Sequence, residues 1–158
     1  MSEKTLKKSE VLAINAILAR ISKDGTEEAP TKLSRRFAYG IAKNSRRIKD
    51  EVESIQEAMK PVSEYEQKRI DLCKKYADKD DEGNPILKDN VYQGLRDNEE
   101  FRKEIDALSD EYEKSIEGVN TILSEETAID FYEIPLDDFP EQISVGEMEV
   151  LLPLVKEE

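Results

Sequence analysis

Histidine is absent from all 158 residues, and so is tryptophan. The first absence weighs more. It removes the commonest general base, the side chain that changes charge near neutral pH and the commonest metal ligand together. Ser-His and Cys-His nucleophilic catalysis are excluded, so a non-enzymatic protein is expected. Cys73 is the one cysteine; no disulfide can form within the chain, and a reducing compartment is the natural assumption. No apolar run approaches the roughly 20 residues that a membrane span needs, and "MSEKTLKKSE" has no apolar signal core. Neither a membrane partner nor a cofactor is expected.

What is abundant is charge. Charged residues make up 39% of the chain, and 37 acids against 24 bases leave a net charge of -13. With only six glycines and six prolines, this composition favours long helices with exposed charged faces. The length fits one domain with a modest core.

Apolar spacing gives the order of elements. Val11, Ile14, Leu18 and Ile21 share one helical face, and Gly25 is placed to stop an N-terminal helix over 1–25. After the loop "TEEAP", a second pattern runs from near Thr31 to residue 77: Leu33, Phe37, Ile41, Ile48, Val52, Ile55, Met59, Val62, then Tyr65, Leu72 and Tyr76. Its spacing of 4 and 3 from Ile48 onward is that of a helix lying along another helix. Pro61 should bend it, because proline lacks a backbone donor and crowds the preceding turn. Residues 78–97 read as turns, with "PIL" and "VY" around "KDN" forming a small hairpin within 84–95. A helix over 98–123 carries Phe101, Ile105, Leu108, Tyr112, Ile116 and Val119 on one stripe, as an antiparallel partner of the long helix. Residues 124–158 turn acidic. "TAIDFYEIPLDDFP" reads as an extended edge segment, and "SVGE" has capping-box spacing for a short helix through Leu152. The expected fold class is therefore mainly α: a long bent helix packed antiparallel on a second long one. The N-terminal helix and the C-terminal segment are expected to cover their groove.

One segment runs against the overall charge. "KLSRRFAYGIAKNSRRIK", Lys32 to Lys49, holds seven bases and no acid, leaving a charge of -20 on the rest of the chain. On a helix, Lys32, Arg35, Arg36, Lys43, Arg46 and Arg47 fall within an arc of about 120°, with Tyr39 near its centre, opposite the apolar stripe. Solvated faces usually mix signs, and cations in a first helical turn oppose the helix dipole. Two compensations are open. Residues 124–158, with eleven acids and one base, can fold back on the face, within the chain or from a second subunit. Otherwise an external anion binds there, the bases holding phosphates and Tyr39 stacking on a nucleobase. That anion can be nucleic acid, a nucleotide or an acidic protein surface, and internal neutralisation or plain surface together narrowly outweigh all three.

"DKDDEGNPILKD" imitates the calcium loop D-x-D-x-[DN]-G-x5-E through Asp78, Asp80, Glu82 and Asp89. Glu82 replaces Asp or Asn, and Asp89 is shorter than the bidentate Glu, so a polar helix-ending turn is favoured. The carboxylates of "SEYEQKR", "DNEE" and "DEYEK" lack the histidines of a di-metal bundle.

The segments "LSRRFAYGIAKNSRRIKDEVESIQEA", "KKYADKDDEGNP", "NEEFRKEIDALSDEYE" and "IDFYEIPLDDFPEQISVGEMEVLLPLV" follow one another in an order that resembles a group of small tailed-bacteriophage (siphophage-type) proteins. The resemblance covers most of the chain from Leu33 onward and departs from the group at Pro61 and in the density of arginines. It implies a phage origin and a place in the host bacterial cytoplasm or the virion, and it carries over no catalytic residue. The expected function is binding another protein, of the phage or its host, in tail or virion assembly, with a homo-oligomer among the possible states. An acidic inhibitor of a bacterial defence system, a DNA mimic, is the alternative. Nucleic-acid or nucleotide binding through the basic face 32–49 is the third.

Overall fold

A computed structural model describes residues 2–24 and 33–157. The fold is mainly helical, and the chain divides into two compact units: residues 1–57 with 121–158, and residues 58–120.

In the first unit, strand β1 (Ser2–Lys7) pairs antiparallel with β4 (Glu126–Phe131), from Ser2 opposite Phe131 to Lys7 opposite Glu126. This corrects the expectation of a helix over 1–25, whose first six described residues are a strand. Helix α1 spans Lys8–Asp24. Its first turn is closed by Glu10, which accepts from the Lys7 N–H at 2.7 Å. Gly25, the "TEEAP" loop, Thr31 and Lys32 lie outside the described residues. Helix α2 (Arg35–Ser63) starts four residues later than expected, where the Ser34 hydroxyl accepts from the Phe37 N–H at 3.0 Å as an N-cap.

Val11, Ile14, Leu18 and Ile21 of α1 meet Phe37, Ile41, Ile48 and Val52 of α2 in one core with Ile129, Phe131, Ile134, Phe139, Leu151 and Leu154. So α1 and the C-terminal segment pack on the first part of α2. No residue of the 98–123 stripe is part of this core. After a 3-10 turn (Leu136–Asp138), helix α5 spans Val145–Leu151 with Ser144 as N-cap, its hydroxyl accepting from the Glu147 N–H at 3.2 Å. The Ser144 half of the expected capping box thus opens the helix, while the Glu147 carboxylate pairs with Arg20 at 2.7 Å.

In the second unit, α2 continues through Pro61, and the bend comes at Glu64, before helix α3 (Tyr65–Tyr76). Proline leaves the Glu57 carbonyl without its helical donor, yet the Glu64 N–H reaches Lys60 O at 2.9 Å and the Lys68 N–H reaches Glu64 O at 3.0 Å. The helix bends without stopping. It packs antiparallel on α4 (Glu99–Ser124): Tyr65 stacks on Tyr112 with centroids 4.0 Å apart, while Tyr76 meets Phe101 at the other end. Between them lies the expected hairpin, β2 (Leu87–Lys88) and β3 (Val91–Tyr92). Its turn residues Asp89 and Asn90 have φ of 52° and 63°, the left-handed pair that matches strand twist in a two-residue turn.

Candidate functional site

Helix α2 separates its two faces sharply. Phe37, Gly40, Ile41, Asn44 and Ile48 are buried. Arg35, Arg36, Tyr39 and Arg46 are exposed, and Lys43 and Arg47 are half-buried. The structure thus brings six of the seven expected residues onto one face, and the seventh, Lys32, is outside the described residues.

The neighbour of this face is the end of β4 and the extended segment that follows it. Arg47 donates to the Asp130 carbonyl and holds its carboxylate at 3.0 Å. Asn44, with no solvent exposure, donates from Nδ2 to the Tyr132 carbonyl at 2.9 Å and accepts the Tyr132 N–H on Oδ1 at 2.8 Å. A Cβ on Gly40 would stand 2.5 Å from Ile134 Cδ1. The Ser34 hydroxyl donates to the Asp138 carbonyl at 3.1 Å. Residues 130–138 therefore run antiparallel along α2, from Arg47 back to Ser34. The Asn44 amide thus satisfies both backbone groups of Tyr132, as a strand partner would.

Internal neutralisation by the acidic segment is realised at Arg47. Elsewhere on the face it is not: among the described residues, no salt bridge reaches Arg35, Arg36 or Arg46. Lys43 sits 5.5 Å from the Tyr39 ring centroid, a cation–π contact, and Tyr39 meets Tyr132 edge-on at 5.3 Å. The face is a positive stripe with an aromatic centre, about 17 Å long from residue 35 to 46.

The calcium residues are not brought together. The Asp80 carboxylate accepts from the Glu82 N–H at 3.0 Å and the Asn84 N–H at 2.9 Å, so it closes the turn instead of facing a cation. Among the described residues no three His, Cys, Asp or Glu are placed to hold a metal ion. The titratable groups with displaced pKa values lie on the surface. Lys8 is raised by its hydrogen bond to Glu125, at 3.1 Å. Tyr76 is raised by donating to Glu104 at 2.7 Å, and Glu104 is lowered by the same bond. The cleft between α1 and α5, where Arg20 pairs with Glu147 at 2.7 Å, encloses about 60 Å³, room for a few waters.

No known protein family, curated protein or solved structure matches the chain. No helix among the described residues is long and apolar enough to cross a membrane.

Two features were missed from the sequence. Asn44 interrupts an apolar stripe between Ile41 and Ile48, and a polar residue there signals a buried partner. Helix α5 and Leu152, the first residue of the 3-10 turn that follows it, leave apolar side chains uncovered. Leu151 is buried, while Val145 is 87% and Leu152 58% exposed. With Ile143 and Met148 they line a shallow groove of about 440 Å³.

Proposed function

We propose that the chain is a non-catalytic protein of phage origin that works by binding another protein, in tail or virion assembly, inside the host cell or in the virion. The phage origin rests on the order of motifs described above. The observation that carries the binding reading is the apolar stripe of α5. Val145 lies almost wholly in solvent on a helix whose opposite side is anchored in the core by Leu151. A rigid, exposed apolar stripe gains free energy when a partner covers it, and fully covering Val145 and Leu152 contributes about 3 kcal/mol or more. Small-molecule chemistry has no comparable support: the α5 groove and the groove of about 410 Å³ between α3 and α4 are both open and shallow, and the cleft beside Arg20 is too small for a metabolite.

The test is affinity capture from phage-producing cells with the wild-type chain and with Val145→Asp plus Leu152→Asp. The expected result is a discrete partner, recovered with the purified wild type and bound at least about 100-fold more weakly by the variant. Circular dichroism should be unchanged between the two. A variant that retains the same partner with the same affinity removes α5 from the reading.

A further inference from the structure

We infer that the basic face of α2 and the acidic strand beside it form a two-fold contact between two copies of this chain. The argument is independent of α5. Residues 130–138 lie along α2 from Arg47 to Ser34, as the Arg47–Asp130, Asn44–Tyr132 and Ser34–Asp138 contacts fix. A line of positive charge (Arg46, Lys43, Arg36, Arg35) therefore runs beside a ridge that carries Glu133 and Asp137. Asp137 is exposed and Glu133 half-buried. Among the described residues neither has a salt-bridge partner, and the same holds for Arg35, Arg36 and Arg46. Charges of opposite sign lie on neighbouring lines and are not spent on each other.

Two such parallel lines are self-complementary. A two-fold axis running between them and along them sets the positive line of each copy opposite the negative line of the other, the isologous arrangement of cyclic dimers. The surface also has an apolar centre. Tyr39 is 51% and Leu136 58% exposed, and the edge-on contact of Tyr39 with Tyr132 stiffens the seam. Aromatic and aliphatic groups at the middle of a patch with charges at its rim are the anatomy of a protein interface. A phosphate backbone fits less well, since Glu133 and Asp137 would repel it along the whole stripe. Exposed ion pairs contribute little each, so the dimer is weak and salt-sensitive.

Light scattering coupled to size exclusion on the full chain tests this at low salt and at about 1 M salt, where the screening length falls to about 3 Å. The wild type is expected as a dimer that weakens with salt. Arg36→Glu with Arg46→Glu, and separately Glu133→Lys with Asp137→Lys, should each weaken the dimer about 100-fold by setting like charges opposite one another. Mixing the two reversed variants should restore a dimer, because both lines of the mixed pair are again of opposite sign. If the first variant fails to fold by circular dichroism, Arg36→Gln with Arg46→Gln replaces it, with a weaker loss expected. A wild-type monomer at low salt, a dimer indifferent to both reversals, or folded variants that do not rescue each other would overturn the inference. So would a wild-type monomer that binds a short oligonucleotide through Arg36 and Arg46, which would assign the face to nucleic acid.

Discussion

Replacing Asn44 by alanine should unseat the extended segment that follows β4. The amide makes two hydrogen bonds to one peptide, at 2.9 and 2.8 Å, from a side chain with no exposure. Alanine leaves the Tyr132 N–H and C=O without partners, and each orphaned buried group costs about 1–3 kcal/mol. Tyr132 is half-buried, so water recovers part of this, and about 2–4 kcal/mol is expected in total. Against a net stability of about 5–15 kcal/mol for a domain, that is a large fraction. Urea unfolding followed by circular dichroism would show the midpoint falling by about 1–2 M. Asn44→Asp sharpens the test. It keeps an acceptor for the N–H but sets a carboxylate oxygen against the Tyr132 carbonyl, so its folded-state pKa must rise above the unfolded one. A raised pKa means that stability is present at low pH and lost as the pH climbs through it. The aspartate variant should therefore lose less at low pH than at neutral pH, relative to wild type. An alanine variant within about 0.5 kcal/mol of wild type, or an aspartate variant with no such recovery, would refute the clasp.

Three further outcomes follow from the same structure. Gly40→Ala should destabilise by about 1–2 kcal/mol despite better helix propensity, because its Cβ would stand 2.5 Å from buried Ile134; an unfolding curve that shifts to higher urea contradicts this. Ser144→Ala should cost about 1 kcal/mol by removing the α5 N-cap, seen as faster amide exchange at Glu147. The contact of α3 with α4 should weaken at both ends of the pH scale: the lowered Glu104 loses its contribution as the pH falls through its folded pKa, and the raised Tyr76 loses its own as the pH rises through its folded pKa. Tyr76→Phe should reduce the alkaline limb to what the raised Lys75 beside Glu104 contributes, as read from the ultraviolet titration of the tyrosines against helicity.

The helices were legible because their apolar residues repeat at helical spacing, and the hairpin because "KDN" suits a left-handed turn. Strand β1 was not, for a reason specific to its inner face. The residues facing inward, Ser2, Lys4 and Leu6, are mostly polar, and their burial is only partial. The order that makes them a strand comes from Ile129 and Phe131 of β4, more than a hundred residues away. The basic stripe was legible as a helical face by angle alone. Which of its arginines is neutralised was not, since β4 delivers Asp130 to Arg47 through its pairing with β1 and the Asn44 clasp on Tyr132, and no local pattern reveals that. The groove on α5 depended on knowing which of two adjacent leucines points inward: Leu151 does, Leu152 does not.

The pairing of Ser2 with Phe131 also dictates a timetable. Residues near the start of the chain wait on the ribosome for a partner that emerges only after the whole of residues 58–120 has been made. The paired helices of that middle unit can form from contacts closer in sequence, which generally assemble faster than distant strand pairing. The middle of this protein can thus take shape before β1 and β4 meet, and in that interval Glu3, Lys4 and Lys7 give the unpaired β1 the charges that discourage wrong pairing of a strand edge.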